Sequence, residues 1–250
     1  MKGRILTSLL AVIAITGLQA QETPAVPRLV VGLTIDQLNM DYVEAFADMF
    51  GERGFKRLWR EGRVYRNAEY NFNQVDRSSA VAAISTGSSP HVNGIVGNAW
   101  MDRTSLQVVN CVDDTRFMGI YTSESTSPSR LAVSNLSDEL IVATQGTAEV
   151  YSIAPTREMA VLAAGHASQG AFWINDETGK WSGSTYYGTF PSWVSNYNDR
   201  QGLDFRISDM TWSPYLPVSI YRYLTSEVKQ VTFKHKFNDE RKNKHRKLKT

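Results

Sequence analysis

With 250 residues, 42% of them hydrophobic and 21% charged, the chain can bury a sizeable core, which excludes disorder throughout and any low-complexity architecture. A single cysteine, Cys111, excludes an internal disulfide framework, so packing alone must hold the fold. The net charge of +2 hides an asymmetry: residues 234–250 carry eight Lys/Arg against Asp239 and Glu240, which leaves the rest of the chain at about −4.

Residues 1–20 read as a secretory signal peptide. Lys2 and Arg4 make a basic start, 6–18 an apolar stretch and Ala20-Gln21 a cleavage point. The stretch is shorter than the roughly 20 residues of a membrane span and no later segment competes, so an exported protein, periplasmic or extracellular, is expected with no span beyond the signal. Residues 21–27 form a proline-containing linker. Residues 29–35 are then a continuous apolar run, which predicts a strand buried on both faces at the centre of a parallel sheet. Asp36 ends it, at the carboxyl end where open α/β sheets hold their ligands.

Apolar residues at helical spacing (Tyr42, Phe46, Met49; Phe55, Leu58, Trp59) predict helices over 41–50 and 54–61, with Gly62 as stop. Residues 64–70 alternate like a strand, and 78–85 form a small-residue helix suited to close packing on a sheet. Cys111, within Val108-Val109-Asn110-Cys111-Val112, reads as a small buried hydrophobe. A helix follows over 136–145, capped by Ser134 or Asn135 and stopped at Gly146. Strands are predicted over 150–153, 160–164 and 171–174, then a turn over 175–179 and a further strand over 181–187. Beyond Pro191 the pattern weakens to an aromatic, proline-punctuated loop over 191–233 and a basic tail over 234–250. The tail lacks a zinc-finger spacing or a glycine-aromatic motif, so no nucleic-acid partner is expected.

Several ordered motifs carry a resemblance. Leu29-Val30-Val31-Gly32-Leu33-Thr34-Ile35-Asp36-Gln37, Gly54-Phe55-Lys56-Arg57-Leu58, Ser85-Thr86-Gly87-Ser88-Ser89-Pro90, Gly94-Ile95-Val96-Gly97-Asn98, and Ala164-Gly165-His166 with Gly170-Ala171-Phe172-Trp173 resemble the alkaline phosphatase superfamily, in its branch of secreted phosphatases and nucleotide pyrophosphatase/phosphodiesterases. The resemblance implies an α/β sandwich with a central, mostly parallel sheet flanked by helices, and it assigns 28–190 to the amino-terminal part of the catalytic domain. Members of that group are longer, so the chain reads as an apparently truncated, amino-terminal fragment.

What the resemblance implies chemically is hydrolysis of a small-molecule phosphate ester, mono- or diester, through a Ser/Thr nucleophile and two zinc ions about 4 Å apart. Asp36 matches a metal-ligand position, and Asn98 the asparagine whose amide donates to a phosphoryl oxygen. The nucleophile position, counted back from Gly87, falls on Arg77; Ser78 and Ser79 are the neighbouring hydroxyls and the candidates, while Arg77 itself can bind phosphate bidentately. Where the monoesterase branch has a lysine and an arginine, this chain has Thr156 and Glu158, with Arg157 between them as a further phosphate-binding candidate.

None of the four histidines forms a metal-binding pair, so the isolated chain is expected to bind metal poorly and turn over little ester. Two alternatives accompany the hydrolase: a non-catalytic extracellular binding module presenting Trp181, Tyr186, Tyr187 and Trp193, and a phosphotransferase of the same superfamily. A sulfatase is disfavoured, because neither Cys111 nor Ser78 lies in a Cys-x-Pro-x-Arg setting. Oligomeric state is not encoded in any pattern here.

Overall fold

The structure, a computed structural model, describes residues 28–200, 211–217, 220 and 235–236. The expected signal peptide and linker, and nearly all of the basic tail, lie outside the described residues. The chain divides into two compact units, 1–37 and 38–250.

In the first unit the expected central strand is absent. Residues 29–35 join no sheet, and their side chains are open to solvent, Leu29 at 79% and Leu33 at 81%. An apolar run becomes a buried strand only when neighbours pair with it and cover both faces, and among the described residues nothing does so. The run ends in a turn at Asp36-Gln37, with Gln37 at φ 58°.

The second unit begins with helices α1 (Met40–Ala45) and α2 (Phe55–Glu61). The predicted helix over 41–50 is broken: after α1 a single tighter turn spans Ala47–Met49. Residues 64–70 form no strand. Then come α3 (Arg77–Thr86), the short α4 (Pro90–Asn93), and an antiparallel ribbon of β1 (Ala99–Met101) with β2 (Val108–Asn110). Strand β3 (Gly119–Ile120), helix α5 (Leu136–Ala143), strand β4 (Tyr151–Ala154), helix α6 (Arg157–Ala164), and strands β5 (Gly170–Ile174) and β6 (Trp181–Ser184) complete the centre. Helix α7 (Ser192–Arg200) follows, and a two-residue pairing joins β7 (Thr211–Trp212) to β8 (His235–Lys236).

The central sheet has the order β3-β6-β5-β4. Only β4 and β5 run parallel, with Tyr151 opposite Gly170 and Ala154 opposite Trp173; β5-β6 and β6-β3 are antiparallel. Among the described residues the sheet is therefore mixed, with one parallel βαβ unit, instead of mostly parallel. The stretch over 160–164 that reads as a strand is the second half of α6. Ala160, Val161, Leu162 and Ala164 are fully buried there, and a helix covered on several sides has the same uninterrupted apolar sequence as a buried strand.

Helix α6 packs on β4, β5 and α3. The small residues of α3 permit that approach: Ala82 is fully buried against a core that includes Ala160, Leu162, Ala171 and Trp173. Trp173 is its largest fully buried side chain, and its truncation to Ala would cost about 3–5 kcal/mol. The expected loop beyond 191 begins instead with α7. Val194 is buried, Trp193 meets Phe172 edge-on at 5.4 Å, and Asn198 brackets Trp181, accepting from its N–H at 2.8 Å and donating to its carbonyl at 2.9 Å.

Candidate active site

The start of α3 organises the site. Asp76 is its N-cap: Oδ1 accepts from the backbone N–H of Ser79 at 2.8 Å, while Ser79 Oγ accepts from the backbone N–H of Asp76 at 2.9 Å, a reciprocal capping box. The other carboxylate oxygen, Oδ2, accepts the backbone N–H of Asn98. One side chain thus fixes the helix start and the loop that carries Asn98. Gly97 allows the approach, since a Cβ there would lie 3.2 Å from Asp76 Oδ2.

The two serines then have different roles. Both are fully buried, but Ser79, at the third position of the helix, is held by Asp76. Ser78, one residue nearer the helix start, donates through Oγ to Asn98 Oδ1 at 2.9 Å. That bond occupies the amide oxygen and leaves Asn98 Nδ2 as the group that can donate to a phosphoryl oxygen. Arg77 is exposed at the first helical position. The structure brings Ser78, Asn98 and Arg77 to one helix start, where main-chain N–H groups also favour an anion.

Behind Ser78 lies Cys111, fully buried. Burial pushes its thiol up to about 12, against a smaller opposing effect of the neighbouring Ser78 side chain. Its backbone N–H donates to Asn98 O at 2.9 Å, tying the ribbon to the same loop. The adjacent Asn110 donates to Glu158 Oε1 at 2.8 Å, which joins this wall to the first turn of α6.

Arg157 has carboxylate partners in place of an open anion pocket. Its Nη2 lies 2.8 Å from Asp113 Oδ1, Nε lies 3.5 Å from Glu124 and 3.3 Å from Glu158, and Nη1 donates to Thr126 Oγ1 at 3.3 Å. Its side chain is only 12% exposed. Burial works against its charge, but the attraction of Glu124, Asp113 and Glu158 outweighs that and raises the guanidinium above its ordinary value.

Asp36 belongs to the other unit, exposed at the turn after the apolar run. Among the described residues no group of three or more His, Cys, Asp or Glu could hold a metal ion. The donors needed for a two-metal centre are therefore not assembled by these residues.

Sequence reasoning missed one constellation, the pairing of Asp138 with His166. His166 Nδ1 lies 2.9 Å from Asp138 Oδ2, its Nε2 lies 3.0 Å from Leu131 O, and the backbone N–H groups of His166 and Ala167 donate to Asp138 Oδ1. Asp138 is also the third residue of α5 in a capping box with Asn135, so this is an architectural latch. The partners lie 28 positions apart, which left no local spacing to detect the pair. Tyr186 and Tyr187 close the same latch by donating to the carbonyls of His166 and Gly165 at 3.1 and 2.9 Å. Their hydroxyls are thereby withdrawn from the glycan- or peptide-binding face expected of a binding module.

The fold and this helix-start site define a class. The chain belongs to the type I phosphodiesterase/nucleotide pyrophosphatase family, whose model matches residues 30–246. It is 35% identical to the alkaline phosphatase PhoV of Synechococcus elongatus, and 35% identical to the alkaline phosphatase PafA of Elizabethkingia meningoseptica; each match covers 85% of this chain and 40% of the relative. The crystal structure of wild-type PafA matches with a TM-score of 0.75 at 33% identity, over 81% of this chain and 40% of that one. The alkaline-phosphatase-like α/β fold is thus shown, and the chain spans about two fifths of the length of these relatives.

Proposed function

We propose that the protein acts as an exported, metal-dependent phosphoric diester hydrolase, with Ser78 as nucleophile. The observation that carries this reading is the pairing of Ser78 Oγ with Asn98 at the start of α3. In the first step a bond forms between Ser78 Oγ and phosphorus while the bond from phosphorus to the leaving alcohol breaks. Ser78 gives up its proton and the alcohol takes one; water then cleaves the seryl phosphoester, restoring the hydroxyl and releasing a phosphomonoester. Asn98 Nδ2 and the N–H groups of the first turn hold the phosphoryl oxygens, and Arg77 adds a cation beside them.

Zinc is the cation the family resemblance implies, and when bound it would lower the pKa of the attacking hydroxyl and offset charge on the leaving oxygen. Asp36 is the one residue assigned to it here. The sequence of residues 1–20 supports export to the periplasm or beyond. The preference for a diester rests on Thr156, Arg157 and Glu158. A monoester carries a second negative charge, and in this structure the only nearby guanidinium of that segment is matched by Asp113, Glu124 and Glu158.

The test compares bis-p-nitrophenyl phosphate with p-nitrophenyl phosphate, using the full gene product that carries this segment, supplied with zinc. Faster turnover of the diester and a loss of at least about 100-fold in kcat/KM for Ser78→Ala are expected. Undiminished turnover by Ser78→Ala would sink the assignment, and faster monoester turnover would sink the diester preference.

A further inference from the structure

A cavity of about 790 Å³ lies beside the β1-β2 ribbon, with Val109 of β2 in its wall. Its charged lining consists of the guanidiniums of Arg116, Arg130 and Arg157 and the carboxylates of Asp113, Asp114 and Glu124. These do not pair one to one. Arg116 grips Asp114 twice, Nε to Oδ1 at 2.9 Å and Nη2 to Oδ2 at 2.7 Å. Arg157 takes both Asp113 and Glu124, at 2.8 and 3.5 Å. Arg130 is thereby left over: among the described residues its guanidinium has neither a hydrogen-bond acceptor nor an ion-pair partner. Asp102 acts on it through charge alone, and Asp102 Oδ1 already accepts the N–H groups of Thr104 and Ser105 at 2.7 and 3.2 Å.

Unpaired arginines on an open surface are common and mean little, because water satisfies them. Arg130 differs in being half-buried and held. Its guanidinium lies over the Trp100 ring, 5.8 Å from the centroid, and Trp100 packs against the hydrophobic core. The backbone on its far side is pinned as well, with Leu131 N–H donating to Pro128 O at 2.8 Å and Ala132 N–H to Asn93 O at 2.9 Å. Gly94 permits this fit, since a Cβ there would lie 2.8 Å from Arg130 O. Of the guanidinium nitrogens only Nε is both buried and unpaired, so the end that keeps accessible surface is Nη1 with Nη2. That end offers two parallel N–H donors, a fork that matches the two oxygens of a carboxylate. The wall hydroxyls of Ser123 and Ser125 can donate or accept beside it. A cation would meet no free carboxylate here, and a doubly charged anion would feel Asp113, Asp114 and Glu124 more strongly than a singly charged one.

We infer that Arg130, braced on Trp100, is a binding site for a small molecule bearing a single carboxylate. The carboxylate sits end-on against Nη1 and Nη2, and the rest of the ligand occupies the cavity. Binding is favoured because the cation is already stacked and has no internal partner to give up, so little side-chain freedom is lost when the ligand arrives. The site is separate from the helix start that carries Ser78 and makes no use of the diester reading.

The experiment titrates the full chain with acetate and follows the NMR shift of the Trp100 indole N–H, assigned through Trp100→Phe. A saturable shift is expected. Arg130→Gln, which removes the charge, should abolish it, and Arg130→Lys, which keeps the charge and loses the fork, should weaken binding about threefold or more. Inorganic phosphate at pH 8, mostly doubly charged, should bind more weakly than acetate, and methylammonium should give no saturable shift. The inference is overturned if acetate gives no saturable shift, if Arg130→Gln or Arg130→Lys binds like the parent, or if phosphate or methylammonium binds as well as acetate. Because no ester is cleaved in this measurement, its outcome is independent of whether Ser78→Ala abolishes turnover.

Discussion

Ser78 Oγ lies 2.9 Å from Asn98 Oδ1, joining the first turn of a helix to a loop twenty residues further along the chain. The contact gives each residue a separable effect. In the full gene product, Ser78→Ala should abolish formation of a seryl phosphoester, whereas Asn98→Ala should leave the nucleophile in place and reduce kcat by about 100-fold through loss of one oxyanion donor. Trapping with a diester substrate followed by mass spectrometry separates them; a phosphoserine elsewhere in the Ser78→Ala protein would contradict the assignment.

Asp76→Ala should destabilise the chain by about 1–2 kcal/mol, because it removes the side-chain half of the capping box of α3 and the acceptor of the Asn98 N–H. The midpoint of urea unfolding measures this. Asp76→Asn, which keeps an acceptor oxygen, should recover most of the loss.

Stability should fall in acid through Asp138 and Asp114. Burial pushes Asp138 up, but hydrogen bonds from the His166 ring and from the N–H groups of Ala167, Asn135 and His166 together leave it below the ordinary aspartate value of 3.8. Asp114 is lowered further, chiefly by the hydrogen bonds from the Arg116 guanidinium and also by Ser127. Both folded-state values lie below the unfolded one, so their stabilisation is complete above about pH 4 and is lost as pH falls through the depressed values. Thermal unfolding followed from pH 6 to 2 should show this, and Asp138→Asn should flatten the dependence.

Asn135→Ala should cost about 2–3 kcal/mol. The fully buried amide caps α5 by accepting from Asp138 N and donates to Leu162 O and Ala163 O, which without it would keep only the hydroxyls of Ser85 and Ser137 as donors. Gly165→Ala should be comparably harmful, since Gly165 has φ 73° and an added Cβ would run into the Asn135 side chain. Circular dichroism melts would read both.

Cys111 should remain unmodified by a thiol reagent at pH 8 in the folded chain and react fully in denaturant, since burial holds its thiol at about 12. Fast labelling of the native chain would contradict the packing described around it.

Helices with strong local grammar were legible in the sequence. Residues 54–61 are bounded by glycines, 136–145 begin at the Asn135 cap, and 78–85 have a run of small residues; each coincides closely with an observed helix. What failed depended on partners remote in sequence. Residues 29–35 have the composition of a central strand, but pairing decides that, and composition cannot supply it. Residues 160–164 show the reverse error, because burial erased the periodicity that distinguishes helix from strand. At the site, the motif pointed to Asn98, which the structure pairs with Ser78. That Ser78 meets Asn98 while Ser79 meets Asp76 was not legible, because it depends on which hydroxyl the Asp76 cap captures.

That capture has a final consequence. Since a single carboxylate anchors both α3 and the backbone of Asn98, the hydroxyl and the amide share one anchor. A substitution at Asp76 would therefore shift both groups together, and their spacing can be changed separately only from surrounding positions.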